Sequence, residues 1–450
     1  MEVSESVKWG SRLYRRAFVK GELMVDNLDH LVFKKDILPG GMRIYVAPTS
    51  RFTTTKIHVY FHRDIRVNPT HTALLPVVLR RGSQTWQSIG AIRRRFASLC
   101  SSKFGVDVER VGFQHLTSFR VEFLNSEWSD EDLLEPILST LADILLNPVL
   151  ENGLFFEDNV RAGLESSRMA IMRLNEVKLL YARAQCLEIL LGGSQWIFNP
   201  FGTLKELDSV TCASLYAHYL KFLYTSSVTV LAIGPYSLSS IATAVNEYFD
   251  PIICHMKPTH LPSGTLHKKE DVRIVQEAEG LSQTRICVAY RTGIRRSDSS
   301  YWALALMCAL VGEIPQSMLN MTIRDKAGLG YYATSSLESN LGIMLIETGV
   351  EPHGVEMAIN LISQVIKQLN TGQFSIDDFS SAKQALLGRL LWYQDSPGAT
   401  IHEYVEAIVA GYEENISNAI SKIRNLTSGD IVEISSHLEL DTVYYLGENN

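Results

Sequence analysis

Alternating apolar and polar positions predict seven β-strands along the chain. In Thr55–Arg63, the apolar residues Ile57, Val59 and Phe61 are separated by histidine and tyrosine, which gives the period of two expected of a strand. The other strands are predicted at Gly41–Pro48, Thr117–Leu124, Val228–Gly234, Arg285–Arg291, Gly342–Val350 and Thr442–Leu446. These strands are distributed over the whole chain, with longer segments between them.

The segments between the strands have a helical period in their apolar positions. Helices are predicted at Thr72–Arg81, Ile89–Leu99, Asp130–Leu146, 157–191, Ser209–Tyr224, Ser237–Phe249, Val355–Leu369 and from Ile376 onward. One more helix is predicted after Ser297 and Asp298, because serine and aspartate are residue types that cap helix N-termini.

The order of elements repeats between two halves of about 220 residues each. The fragment LNPVLENGLFFEDN (146–159) stands in the first half where LNTGQFSIDD (369–378) stands in the second. Such a repeat indicates duplication, and we therefore predict an α+β fold made of two duplicated halves. The predicted bounds are 1–251 for the N-terminal half, 252–271 for a linker and 272–450 for the C-terminal half.

The predicted linker carries proline, glycine and basic residues without a hydrophobic period, which is typical of a loop. An alternative interpretation is a metal cluster made of Cys254, His255, His260 and His267. Zinc sites favour close pairs such as CxxC or HxxxH, and the spacing here is looser. A linker is therefore the preferred interpretation.

Composition narrows the class of protein. The chain has 450 residues, 46% hydrophobic and 20% charged, as in an ordinary folded domain. Its net charge of −7, with no long basic run, argues against nucleic-acid binding. The six cysteines form no disulfide framework, and no apolar run is long enough for a membrane helix. A cytoplasmic protein without a membrane or nucleic-acid partner is predicted.

Three motifs occur in a fixed order along the chain. They are LRRGS at Leu79–Ser83, NPFGTLKEL at Asn199–Leu207 and IRDKAGLGYY at Ile323–Tyr332. Together they resemble the insulinase-like (pitrilysin-type) zinc metallopeptidase family, and in particular its small two-subunit bacterial processing proteases. The resemblance covers about residues 35–447. It implies that each half is a mostly antiparallel sheet covered by helices, and that the halves form a clamshell around an extended peptide.

Catalytic members of that family carry an HxxEH motif on the helix before the LRRGS-like segment. The two histidines bind Zn²⁺ and the glutamate activates the zinc-bound water. The matching positions here are Ala73, Leu74, Leu75, Pro76 and Val77. Neither histidine nor the glutamate is present, and Pro76 also lacks a backbone N–H. The chain is therefore expected to bind no metal and to have no peptidase activity by itself.

Other residues do not replace the missing ligands. His58 and His62 are four apart, but on a strand they are about 13 Å from each other, too far for one ion. His71 has no HxxxH partner, and Glu165 lies in the region of the family's third zinc ligand without the other two. An autonomous hydrolase with a non-standard metal site ranks last among the hypotheses.

The resemblance implies a role for Arg324 and Tyr331 in the second half. Family members place an arginine and, seven residues later, a tyrosine opposite the zinc; here Gly328 and Leu329 lie between them in the expected places. Guanidinium and phenol groups are donors that can bind a scissile carbonyl. The alternative is a purely structural role for both. Tyr332 is expected to face the opposite side of its strand and to pack.

These features together predict the non-catalytic subunit of a heterodimeric zinc metallopeptidase. The partner would be an HxxEH-bearing paralogue that holds the Zn²⁺, while this chain closes the peptide chamber and supplies Arg324 and Tyr331 in trans. The substrate would be a peptide, either a leader peptide or a product of general turnover. The alternative is a peptide-binding or scaffold protein with the same fold and no catalytic partner.

Overall fold

The computed structural model describes residues 18–19, 22–23, 30–192, 199–253 and 271–447. Within them the strands are β1 (Phe18–Val19), β2 (Glu22–Leu23), β3 (Lys34–Ile37), β4 (Arg43–Pro48), β5 (Thr54–Asp64), β6 (Lys103–Val111), β7 (Gln114–Leu124), β8 (Leu150–Glu151), β9 (Leu154–Phe155), β10 (Ser227–Gly234), β11 (Arg273–Ala278), β12 (Thr284–Arg291), β13 (Gly330–Glu338), β14 (Ile343–Val350) and β15 (Glu439–Gly447). The linker residues Cys254, His255, His260 and His267 lie outside the described part of the chain.

The described helices are α1 (Pro69–Leu79), α2 (Ile89–Ser98), α3 (Leu134–Leu146), α4 (Glu157–Glu176), α5 (Lys178–Leu190), α6 (Leu204–Leu207), α7 (Cys212–Thr225), α8 (Leu238–Ile253), α9 (Tyr301–Cys308), α10 (Val355–Asn370), α11 (Ile376–Gln394), α12 (Pro397–Val409), α13 (Ile416–Asn425) and α14 (Ser428–Ser435). Two π-helical segments, Ala309–Glu313 and Asn320–Lys326, follow α9. Short 3₁₀ turns occur at Pro39–Gly41, Ser126–Trp128 and Pro352–Gly354.

The two large sheets have the same topology. The first has the strand order β3-β4-β10-β5-β7-β6, and the second has the order β11-β15-β12-β14-β13. In each sheet the first and last strands of the repeat are parallel neighbours, β4 with β10 and β11 with β15. The other neighbouring strands pair antiparallel. The α+β fold with two duplicated, mostly antiparallel halves is therefore confirmed; β3 is an addition to the first half.

Side chains on both faces of the first sheet are buried. Ile44 and Val46 of β4 pack into the core beneath the helices of the first half, while Tyr45 and Ala47 pack into a different cluster on the opposite face. This second face is covered by α12, which comes from the second half and contributes Ile401, Val405 and Ile408 to the same cluster. Such two-sided burial explains why His58, Tyr60 and His62 of β5 are also buried.

A reciprocal exchange covers the second sheet. Helix α5 of the first half packs on β12 and β15 and buries Ala182, Cys186 and Leu187 there. The thiol of Cys186 lies 3.5 Å from the carbonyl oxygen of Cys287 on β12. The predicted single helix over 157–191 is in fact two helices, broken at Val177. The helix pair α11 and α12 has the same arrangement in the second half, so each half donates the second helix of such a pair to the other.

Candidate functional site

Residues 73–77, which the resemblance matches to the zinc motif, lie on helix α1. It begins at Pro69, earlier than predicted, because proline fits the first helical position and Asn68 adopts a left-handed conformation before it. Ala73, Leu74, Leu75 and Pro76 are buried, and Val77 is half-buried. Apolar side chains therefore occupy the positions that the resemblance matches to the metal ligands and base, and the intervening Leu74 and Leu75 belong to the hydrophobic core of the first half.

Helix α4, which carries Glu165, packs directly against α1. The helices come close together at Gly163, where the Cβ of a larger residue would lie 2.8 Å from Cγ2 of Val78 and 3.2 Å from Cδ1 of Leu74. Arg81, just beyond α1, donates through Nη2 to the carbonyl oxygen of Ala162 at 2.8 Å. The two helices are thus held together by tight packing at Gly163 and by the contact of Arg81 with Ala162.

Glu165 is exposed on α4. Its carboxylate is close enough to Arg81 to influence that guanidinium: burial and the neighbouring Arg80 lower the pKa of Arg81, and Glu165 partly offsets them. No group of three or more histidine, cysteine, aspartate or glutamate residues within the described ranges is arranged to hold a metal ion. The residues present at the α1–α4 contact do not fit zinc.

His58 and His62 lie on the face of β5 that α12 covers, with Tyr60 between them. Nδ1 of His58 is 3.3 Å from the hydroxyl of Tyr60, and Nδ1 of His62 is 2.9 Å from Oε1 of Gln114. Burial, with help from nearby positive charges, lowers the pKa of His58 to about 3 and that of His62 to about 4. Both are therefore neutral core residues with separate hydrogen-bond partners.

A second histidine group was not predicted from the sequence. The rings of His71 and His218 lie 5.5 Å apart between centroids, and Nε2 of His218 is 3.0 Å from the hydroxyl of Thr72. Burial lowers the pKa of His218 to about 3, and burial also lowers that of His115 to about 4. These residues come from α1, β7 and α7, so only the fold brings them together. They stay neutral and pack beside the N-terminal end of α1.

Arg324 lies in the π-helical segment Asn320–Lys326 and is exposed. Its Nε donates to Oδ1 of Asp325 at 2.7 Å, and its Nη2 donates to Oδ2 at 3.2 Å. This hydrogen bonding raises the pKa of Arg324 and lowers that of Asp325. The segment is tied to β13 because the side-chain oxygen of Asn320 accepts from the N–H of Ala333 at 3.0 Å.

Tyr331 stands at the start of the edge strand β13 and is 82% exposed. The pairing of β13 with β14 is irregular between Gly330 and Ala333, so Tyr331 and Tyr332 leave the regular ladder. Tyr332 lies against Gly349, where the Cβ of a larger residue would be 3.2 Å from the tyrosine ring. Gly328, in the turn between Arg324 and Tyr331, has a φ of 61°, which favours glycine.

Comparison with known proteins shows a similarity to M16 peptidases. A family model described as the peptidase M16 inactive domain matches residues 209–386. The chain is 25% identical over 415 residues to the probable inactive metalloprotease YmfF of Bacillus subtilis, covering 90% of this chain and 96% of that protein. The chain is thus similar to insulinase-like M16 peptidases, and both of these matches are named as inactive. Its helix α1 carries no HxxEH.

A further relative and two solved structures extend the comparison. The chain is 22% identical over 351 residues to the mitochondrial-processing peptidase subunit beta of Saccharomyces cerevisiae, covering 73% of each. A conserved protein from Enterococcus faecalis shares the fold with a TM-score of 0.83 and 23% identity, over 93% of this chain and 99% of that one. The peptidase M16 inactive domain from Pseudomonas fluorescens gives a TM-score of 0.77 and 18% identity, with the same coverage.

Within the described residues, no helix combines the length and the apolar character needed to cross a bilayer.

Proposed function

We propose that this M16 member is the non-catalytic subunit of a two-subunit zinc peptidase. Its partner would be an HxxEH-bearing paralogue that supplies the Zn²⁺ and the general base. This chain would close the opposite side of the peptide chamber and donate Arg324 and Tyr331 to the substrate. Free thiols at the described cysteines agree with a reducing, cytoplasmic location.

One contrast carries the proposal. The α1 positions that would bind zinc are apolar, with Ala73 buried and Val77 half-buried, whereas Arg324 and Tyr331 are exposed. A large aromatic side chain that is 82% exposed at the start of a strand contributes little to the stability of its own chain. An exposed tyrosine and arginine joined by a short turn instead suit contact with another molecule.

The geometry of Arg324 supports a donor role. Asp325 binds the Nε and Nη2 edge of the guanidinium, which limits the number of side-chain conformations. Arginine has five N–H donors in a fixed plane, so the Nη1 group is still available to a carbonyl oxygen. The phenol of Tyr331 offers a second donor. Two such donors can stabilise the negative charge that develops on a peptide carbonyl during attack by water.

Relatives support a two-subunit assembly without establishing it. One relative is named as the beta subunit of a processing peptidase, and another is named as a probable inactive metalloprotease. An inactive chain paired with an active paralogue would be consistent with both names. Recognition through an edge strand depends on backbone hydrogen bonds, so a broad range of peptides, leader peptides among them, is the expected substrate class.

The proposal is tested by measuring peptide cleavage by the purified chain, by an HxxEH-bearing paralogue from the same genome, and by their mixture. We expect no cleavage by this chain alone and zinc-dependent, chelator-sensitive cleavage by the mixture. Size-exclusion chromatography should show one complex of both chains. Chelator-sensitive cleavage by this chain alone would contradict the assignment of residues 73–77.

A peptide-binding scaffold is the second candidate, and the Arg324–Asp325 ion pair favours it. An arginine that already has a carboxylate partner does not need a substrate for charge compensation. Peptide binding by this chain, without cleavage in any mixture with an HxxEH-bearing paralogue, would support the scaffold.

A further inference from the structure

A cavity of about 260 Å³ lies between residues 31–33, which precede the first sheet, and the C-terminal helices α11–α13. It is separate from the site described above, since its lining contains neither α1 residues nor Arg324 or Tyr331. Close-packed protein interiors contain few voids larger than a water molecule, and a cavity of about 150 Å³ in another protein is large enough for benzene. The space between these helices is therefore large enough for a bicyclic molecule.

The charged groups of the wall are already paired. Each carboxylate has its own cation, in the pairs Glu403 with Arg296, Glu413 with Lys35 and Glu414 with Lys422. A charged ligand would therefore meet no unpaired charge among the described lining residues, and an ion that leaves water without a partner is strongly destabilised. The cavity thus favours a neutral ligand.

Much of the remaining wall is apolar and held in place. The N–H of Leu31 donates to Oε1 of Gln394 at 2.7 Å, and the ring of Phe33 stacks on that of Tyr404 with centroids 4.2 Å apart. These contacts fix residues 31–33 against α11 and α12, so a ligand would enter a preformed space and would not have to order it. The apolar side chains of the wall are Leu31, Phe33, Leu390, Ala407, Ile416 and Ala419.

Three hydrogen-bond donors in the wall have no acceptor among the described residues. Gln394 is only 5% exposed, and its Oε1 accepts from Leu31, which leaves the N–H groups of its Nε2 unpaired. The hydroxyls of Tyr393 and Tyr404 are the other two donors. A donor that is removed from water without an acceptor is destabilising. The wall therefore favours a ligand that brings an acceptor, such as a carbonyl oxygen.

We propose that this cavity binds a small neutral ligand that has an apolar ring system and one carbonyl-type acceptor. The apolar wall takes up the ring system, and the donors of Gln394, Tyr393 and Tyr404 bind the acceptor and fix the orientation of the ligand. This inference is independent of the proposed peptidase role, because it uses none of the same residues.

The test is isothermal titration of the full chain with three compounds that share one bicyclic skeleton. They are 1-indanone, which has a carbonyl group, indane, which has no polar group, and 2-aminoindane, which carries an ammonium group. We expect 1-indanone to bind at least as tightly as indane, because the wall replaces the hydrogen bonds that the ketone gives up to water. 2-Aminoindane should bind about tenfold more weakly or not at all. Tighter binding of indane, tightest binding of 2-aminoindane, or no binding of any of the three would overturn the proposal.

Hydroxyl deletions test the donors. In the double variant Tyr393→Phe/Tyr404→Phe, the affinity ratio of 1-indanone to indane should fall about fivefold, as expected for the loss of a hydrogen bond. Tyr412→Phe is the matched control. Tyr412 also lines the cavity, but its hydroxyl donates to Glu414 at 3.1 Å and accepts from Lys422 at 2.8 Å, so the ratio should stay unchanged. An equal fall of the ratio in both variants, or no fall in the double variant, would overturn the assignment of the donors.

A cavity-filling variant tests the location. Ala407→Leu places a larger side chain in the cavity from α12 and should abolish the binding of both 1-indanone and indane. Unfolding curves show whether the variant is folded. If it is not, Ala419→Leu, which fills the cavity from α13, takes its place with the same expected loss. Undiminished binding by a folded variant would overturn the proposal.

Discussion

Arg183 and Glu338 join the two halves through an ion pair, with Nη2 3.0 Å from Oε1. Arg183 lies on the exchanged helix α5, and Glu338 ends the edge strand β13. Arg183 also contacts Glu347 at 3.2 Å, and Arg110 of β6 contacts Glu338 at 2.9 Å. Burial alone would raise the pKa of Glu338, but the two arginines together lower it. The first half therefore holds a buried carboxylate of the second half in its charged form.

Replacement of Arg183 by methionine should destabilise the fold. The methionine keeps most of the apolar contact but leaves Glu347 without this partner and Glu338 with Arg110 alone. Removing one partner of a buried pair costs about 3–5 kcal/mol; since Arg110 remains, we expect a loss of about 2 kcal/mol, measured by urea unfolding. Arg161→Met, which removes an exposed pair with Asp158, should change stability by less than about 0.5 kcal/mol. Equal effects of the two substitutions would mean that the buried ion pair contributes no more to the free energy of unfolding than an exposed one.

Two glycines in related helices should respond in opposite ways to substitution by alanine. Gly163→Ala places a methyl group 2.8 Å from Val78 and forces α4 away from α1, at a cost of about 1–3 kcal/mol. Gly388→Ala on α11 meets no atom within 4 Å, and it should stabilise the helix by about 0.5–1 kcal/mol. Urea unfolding midpoints measure both changes. A neutral or stabilising Gly163→Ala would show that the zinc-motif helix has space beside it.

Four buried histidines should make the protein acid-sensitive. These histidines are His58, His62, His115 and His218. Burial lowers the pKa of each to about 3 or 4. In the unfolded chain their pKa returns to about 6.5. Between pH 6.5 and about 4 the unfolded chain therefore binds protons that the folded chain does not, so the free energy of unfolding falls as the pH falls. Each histidine contributes up to about 1.4 kcal/mol per pH unit.

The pH effect is isolated by substitution. His62→Gln removes one titrating group and keeps an amide that can bond to Gln114, so its free energy of unfolding should depend less steeply on pH between 6.5 and 4.5. His353→Gln serves as the control, because His353 is exposed, and should leave the slope unchanged. Identical slopes for wild type and His62→Gln would show that His62 is protonated in the folded chain.

Local periodicity predicted the central strands and most helices because those segments carry a strong apolar pattern. The edge strand β6 was not predicted; it is half-exposed and contains Gly105. For β13, a strand was expected at Tyr331 and Tyr332, but its bounds were not predicted. The exchange of α5 and α12 was not predicted either. The local sequences of α5 and α12 do not show which sheet each helix covers. That depends on contacts between residues more than 100 positions apart, such as Cys186 with Cys287.

Those features of the candidate site that depend only on which residues are present could be predicted from the sequence. The lack of HxxEH is visible at Ala73, Pro76 and Val77, and the structure adds that Ala73 and Pro76 are buried and Val77 is half-buried. The exposure of Tyr331 was not predictable, because it results from the irregular pairing of β13. The Asp325 partner of Arg324 is its neighbour in sequence, yet its geometry depends on the π-helical turn.

The most direct test is zinc-dependent peptide cleavage by the assembled pair when this chain carries Arg324→Ala. Loss of one oxyanion donor should lower kcat by about 10²–10³-fold, while size-exclusion chromatography shows unchanged assembly. Lys326→Ala, which removes an exposed cation two residues away, should leave turnover within about twofold, because a surface charge that does not touch the substrate has little effect. Arg324→Lys keeps the charge without the planar fork and should be intermediate. Full turnover by the Arg324→Ala pair would contradict donation in trans.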